Sequence, residues 1–236
     1  MNVGVLYNPF GRLEEKILRT FWFKTHLCPV CEKQFDAIKL FSEAVKIKSR
    51  DPDLKPVYDG VNALVFQLIS CPNCLYTSFE DDFEELPHSK LQIVRNLCER
   101  LKQDLRINLS ESKGLRDAAV QYNLAGIIYV AREKFFRAAE SFLKLAWLYR
   151  DAGSLDEERK ALNRALEFFL KSYTQQDLSE DQLIAALFYL GEINKLLGNK
   201  KEMVRWFSEL FEKFGKRDSI YLRQARQQWQ EASFEK

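Results

Sequence analysis

A chain of 236 residues has room for one large domain or two modest ones. With 46% hydrophobic and 30% charged residues and 18 phenylalanines, it can build a real core, which excludes bulk disorder. Its net charge of +2 excludes a whole-protein field that would gather nucleic acid or anionic lipid, so any basic binding face must be local.

The opening stretch MNVGVLYNPFGRLEEK has no charged segment followed by an apolar one, so it does not read as a secretory signal. No run approaches the roughly 18 apolar residues that span a bilayer. The expectation is a cytoplasmic protein with no membrane partner. In that compartment thiols stay reduced, and closely spaced cysteines are metal ligands or redox centres more often than disulfides. The stretch LEEKILRTFWF, residues 13–23, suggests a short amphipathic helix leading in.

From Cys28 to Phe79 the chain reads as short strands and turns. FDAIKLF and EAVKIKSR alternate apolar and polar residues, and ALVFQLISC is an apolar run of strand length. Between them DPDLKPVYDGVN, with its prolines and Asp-Gly pair, predicts a loop. This region carries Cys28 and Cys31 in CPVC and Cys71 and Cys74 in CPNC.

Two residues between thiolates let one tight turn present both sulfurs to an ion. Two such turns complete a tetrahedron, so the four cysteines read as a closed, structural Zn2+ site. Pro29 and Pro72 pre-set the backbone of each turn. The 39 residues between the pairs are no obstacle, because loop-closure entropy grows only logarithmically. Iron in a four-thiolate site uses the same ligands and remains an alternative. A redox reading of one C-x-x-C leaves the other pair unexplained. His26 reads as a partly exposed histidine at a strand start, His88 as lying near a helix start, and Cys98 as a buried, inert thiol on an apolar stripe.

After Pro87 the pattern becomes helical. Leu91, Val94, Leu97, Cys98, Leu101 and Leu105 recur at helical spacing. Breaks near Arg132, Gly153, Gln176, Gly198 and Gly215 then predict helices over 115–131, 134–151, 155–175, 180–197, 200–214 and 217–232. Tyr122, Ala125, Gly126, Tyr129, Ala138, Phe142 and Leu145 are answered 65 residues later by Leu187, Leu190, Gly191, Asn194, Met203, Phe207 and Leu210. The large, small and aromatic positions resemble a tetratricopeptide repeat. Three helices repeated once, or an irregular bundle, would give a similar pattern. The fold class is α+β, mostly α: a zinc-ribbon-like β module with its lead-in over 1–87, then a tetratricopeptide-like helical domain over 88–236.

Reading outward from the cysteines, the chain resembles an uncharacterised bacterial family, domain-of-unknown-function family 2225. Arg50, Asp51, Asp53, Tyr58, Asn62, Cys71, Pro72, Cys74 and Tyr76 fall on that family's pattern. Ala63 and Leu75 depart from it, standing where the family has proline and glycine. The resemblance implies the fold and no activity.

Three functions follow as expectations. A protein-interaction scaffold would bind a protein or peptide through the array, with Asn123, Ile127, Val130 and Trp147 toward its inner face, unless these merely pack against the β module. A nucleic-acid-binding module would use Lys46, Lys48 and Arg50, which alternate and in a regular strand would share one face. The acidic run FEDDFEEL reads as a solvated helix face. An enzyme finds no support: there is no Gly-rich phosphate loop, no HExxH-type motif, and no histidine near a nucleophile.

Overall fold

The computed structural model describes residues 20–105 and 114–234. Its first part is three separate antiparallel hairpins: β1 (Phe21–Leu27) with β2 (Gln34–Leu40), β3 (Ile47–Arg50) with β4 (Pro56–Tyr58), and β5 (Leu68–Ser70) with β6 (Thr77–Phe79). The first is in register from Phe21 opposite Leu40 to Leu27 opposite Gln34. A lone two-stranded hairpin is marginal in water, and these lean on helices. α1 (Glu80–Phe83) and α2 (His88–Leu105) lead into a six-helix array: α3 (Leu115–Ala131), α4 (Phe135–Asp151), α5 (Leu155–Gln175), α6 (Glu180–Leu196), α7 (Lys200–Phe214) and α8 (Ile220–Phe234). The fold is α+β and mostly α. None of the described helices is long and apolar enough to cross a membrane.

Three local expectations change. Phe21 to Phe23 belong to β1 rather than to a lead-in helix, since an aromatic-rich run packs well on a pleated surface; the rest of that expected helix lies outside the described residues. The run ALVFQLISC splits, because the Asn62 side chain accepts from Leu64 N at 3.1 Å and winds Ala63–Phe66 into a 3-10 turn before β5. The expected loop DPDLKPVYDGVN contains β4, whose first residue is Pro56, where the missing amide costs the ladder least.

The array has a strict period. α6, α7 and α8 begin 65 residues after α3, α4 and α5 respectively, so the repeating unit is three helices. All fourteen positions paired at that offset are buried. In both units the glycine of the first helix faces an aromatic ring of the second: a Cβ on Gly126 would collide with Phe142, and one on Gly191 with Phe207. Helix α6 is buried continuously from Ile184 to Asn194, as a helix apolar on nearly every side must be, and a Ser179–Gln182 capping box starts it.

Candidate metal centre

The two C-P-x-C stretches are the turns of two hairpins, β1–β2 and β5–β6, set tip to tip. They share one hydrogen-bond pattern. Cys28 N donates to Lys33 O at 3.0 Å and Glu32 N to Cys28 O at 2.9 Å, while Cys71 N donates to Tyr76 O at 2.8 Å and Leu75 N to Cys71 O at 2.9 Å. The fifth residue of each turn is left-handed, Glu32 at φ 58° and Leu75 at φ 66°. Leu75 thus adopts the conformation that glycine would take for free. It is nonetheless fully buried against Leu124, with Leu101 and Val120 around it.

This arrangement gathers the four sulfurs. Cys28 Sγ lies 3.6 Å from Cys74 Sγ and Cys31 Sγ 3.6 Å from Cys71 Sγ, and all four are within 4.8 Å of one another. A tetrahedron with Zn–S bonds of about 2.3 Å separates its sulfurs by about 3.8 Å. Disulfides, with sulfurs about 2.0 Å apart, are not formed. Sulfurs this close cannot all be thiolates unless a cation sits among them. Hydrogen bonds from the thiols of Cys28 and Cys74 hold the Cys71 thiol well below the usual thiol range. Cys28 is pushed up by its bond to Cys71, and Cys74 is also pushed up, by its bonds with Cys28, Cys71 and Cys98. The donor set fits a thiophilic ion such as zinc or iron, and a closed set of four leaves no position for substrate.

Helix α2 clamps both turns. Arg95 donates to Val30 O through Nε at 3.3 Å and Nη2 at 3.1 Å, and Lys102 Nζ donates to Asn73 O at 2.6 Å. Val30 and Asn73 are equivalent positions of the two turns, and Arg95 and Lys102 stand two helical turns apart on one face. Both are cations beside a site that would carry net negative charge when loaded. Cys98 lies between them, buried as expected, but beside Cys74 in a cleft of about 530 Å³ rather than in a remote core. That cleft is where solvent reaches the half-buried Cys31 and Cys74. The helical spacing from Arg95 to Lys102 is visible in the sequence, but nothing there says which turn it covers.

His26 is not among the clustered donors. It is buried rather than partly exposed, and it lies near the end of β1, not at a strand start. Its ring packs between Phe35 and Phe83, its Nδ1 stands 3.4 Å from Glu84 Oε1, and desolvation lowers its pKa. His88 is the exposed first residue of α2.

A family described as an uncharacterized protein conserved in bacteria (DUF2225) has a sequence model that matches residues 21–232. The chain belongs to that family. A protein of Borreliella burgdorferi, named only as an uncharacterized protein, is 25% identical over 159 residues, or 60% of this chain. The chain spans 57% of that relative's length. No solved structure matches the chain.

The positions that carried the family resemblance are now explained by packing. Asp53, buried at 1% exposure, accepts from Trp147 Nε1 at 2.8 Å and pairs with Arg150 Nη1 at 2.8 Å. Tyr76 is buried and accepts from Arg132 Nη1 at 3.2 Å. Arg50 Nη1 donates to Leu54 O at 3.3 Å, closing the β3–β4 loop. Asn62 is the cap described above.

The remaining predicted residues scatter. Trp147 is buried against Asp53 and is not on an open face. Asn123, Ile127 and Val130 are half-buried on α3. Of these, Asn123 accepts from Arg164 Nη1 at 2.7 Å and lines a groove of about 510 Å³ with Leu115, Ala119, Leu148 and Tyr149. Lys46, Lys48 and Arg50 are exposed, but a bulge between Ile47 and Ser49 breaks the alternation, so they do not form one basic row. The acidic run is not wholly solvated either. Asp82 is buried and takes Arg137 Nε at 2.9 Å, the Tyr129 hydroxyl at 3.1 Å and Lys134.

Proposed function

We propose that the four cysteines hold a structural zinc ion and that the chain is a non-catalytic scaffold whose helical array binds a protein or peptide. The closed four-sulfur cluster at the meeting of two hairpins carries the first half of this reading. An ion there ties strands that have little core of their own to α2 and α3. The second half is supported by the repeat and its apolar groove. The units are tetratricopeptide-like in seating an aromatic ring of one helix on a small residue of the next, and repeat surfaces of this kind bind extended partners. The groove at Leu115, Ala119 and Asn123, with Leu155 exposed nearby in sequence, is the face assigned to a partner.

Metal analysis tests the first half: one zinc per chain supports it, whereas an iron spectrum or a metal-free folded chain overturns it. For the second half, the tagged chain is used as bait in its own bacterium beside Leu115→Glu. A defined protein captured by the first and lost from the second, at unchanged melting temperature, supports the scaffold. Equal capture by both, or tight nucleic-acid binding that weakens steeply with salt, overturns it.

A further inference from the structure

A cleft of about 410 Å³ separates the β3–β4 hairpin from helices α4, α6 and α8. That volume is within the usual range for small-molecule sites. Its walls are unusually aromatic, with Tyr58, Trp147, Tyr189 and Tyr221 among the lining residues. Tyr189 and Tyr221 rings meet edge to face at 5.8 Å, and the Tyr58 hydroxyl has no hydrogen-bond partner among the described residues.

Lys144 of α4 also lines this cleft. Among the described residues its ammonium has neither a hydrogen bond nor an ion pair; its one specific contact is the Phe79 ring, 4.4 Å away. The acids that might have served it are taken. Glu140, one turn earlier and itself lining the cleft, attracts the ammonium only through space, because its carboxylate is bonded to Arg137 at 2.9 Å, and Arg137 also holds Asp81 and Asp82. Arg50, at the same cleft, bonds among the described residues only the backbone carbonyl of Leu54. Burial of this ammonium outweighs the through-space attraction of Glu140 and Asp81 and lowers its pKa. An anionic ligand would offset that burial, whereas a neutral or cationic one would not.

We propose that this cleft binds a small aromatic anion, its carboxylate or phosphate on Lys144 and its ring among Tyr58, Trp147, Tyr189 and Tyr221. The site is separate from the cysteine cluster and from the groove at Leu115, so it stands whether or not the scaffold reading does. Trp147, held by Asp53, forms a fixed wall, and its fluorescence reports occupancy.

The test titrates 2-naphthoate and the neutral 2-naphthamide into the full chain, followed by calorimetry and tryptophan fluorescence. The expected result is one site that prefers the carboxylate by at least about tenfold. Lys144→Met should abolish that preference while the naphthamide affinity stays as it was. Because Lys144 makes no hydrogen bond or ion pair, the variant should melt at or above the wild-type temperature, which shows that the cleft is intact. Inorganic phosphate as competitor separates the two headgroups: displacement assigns a phosphate-binding position, and no displacement a carboxylate one. Absence of saturable binding by naphthoate, equal affinity for both probes, or an undiminished preference in Lys144→Met overturns the proposal.

Discussion

Trp147, on α4, donates its indole N–H to the Asp53 carboxylate at 2.8 Å, across 94 residues of sequence. Asp53 also accepts from Lys55 N at 3.2 Å, and Arg150 of α4 pairs with it at 2.8 Å. Lys55 reaches Asp151 at 2.7 Å, and Gln228 of α8 donates to Pro52 O at 2.8 Å. One short loop between β3 and β4 is thereby fastened to the second and the last helix of the array.

Removing the hub should be expensive. Asp53→Ala leaves the buried Trp147 indole with no acceptor and Arg150, which keeps Glu158 at 2.7 Å, without its other close carboxylate, and is expected to destabilise by about 2–3 kcal/mol. Trp147→Phe keeps the Asp53–Arg150 pair and should cost about half as much. Urea denaturation of the two variants beside the wild type measures the difference, and midpoints equal to the wild-type value would show that the loop contributes nothing.

Leu75 and Glu32 occupy equivalent left-handed positions, yet glycine should act oppositely at the two. At Leu75, relief of about 1 kcal/mol of backbone strain competes with the loss of a fully buried leucine, worth about 2–3 kcal/mol plus a cavity, so Leu75→Gly destabilises. Glu32 is exposed and loses no burial, so Glu32→Gly is expected to stabilise by up to about 1 kcal/mol. Thermal melts of both variants check the opposite signs.

Glu192 makes stability depend on pH. It is 1% exposed, and burial raises its pKa to about 7 against an unfolded value near 4.5; Lys195, 3.9 Å away, and Arg150 oppose that shift, while Asp53 adds to it. A carboxyl raised on folding favours the protonated native state, so its stability contribution is fully present below about pH 4.5 and is lost as pH rises through about 7. The loss is on the order of 3 kcal/mol. Glu192→Gln should therefore raise the melting temperature at pH 8 and leave it nearly unchanged at pH 4.5. An equal shift at both pH values would show that the carboxyl does not titrate in this range.

Gly126→Ala should be costly, against the gain of about 1 kcal/mol expected at an exposed helix position, because the new methyl meets the Phe142 ring in a closed core. A loss of about 2 kcal/mol or more is expected, partly restored when Phe142→Leu is added. Gly191→Ala with Phe207→Leu should repeat the result in the second unit. Additive effects in either pair would mean that ring and glycine do not touch.

Chelation should unfold the hairpins before the array. A bound structural ion contributes on the order of 10 kcal/mol, comparable with the whole stability of a domain. Cys28→Ser and Cys74→Ser are expected to lose the metal and the near-ultraviolet signal of the aromatic residues around β1 and β6, while helical signal persists. A chelated chain with an unchanged melting profile would refute this.

Much of the fold was legible in the sequence. Both C-P-x-C turns, five of the six array helices to within a residue at each end, and the 65-residue offset follow from signals carried by neighbours: turn chemistry, a 3.6-residue period, and glycine breaks. Each is local, so each survives without knowledge of the rest. Tertiary structure alone decided that Trp147 turns inward, that Asp82 is buried under three partners, that β4 lies within a proline-rich loop, and that Cys98 sits beside Cys74. Those outcomes depend on complementary groups dozens of residues apart, whose meeting no local pattern announces. Lys144 is the same lesson in reverse: its helical position was readable, and only the folded chain shows that, among the described residues, the acids near it are bonded to Arg137 instead.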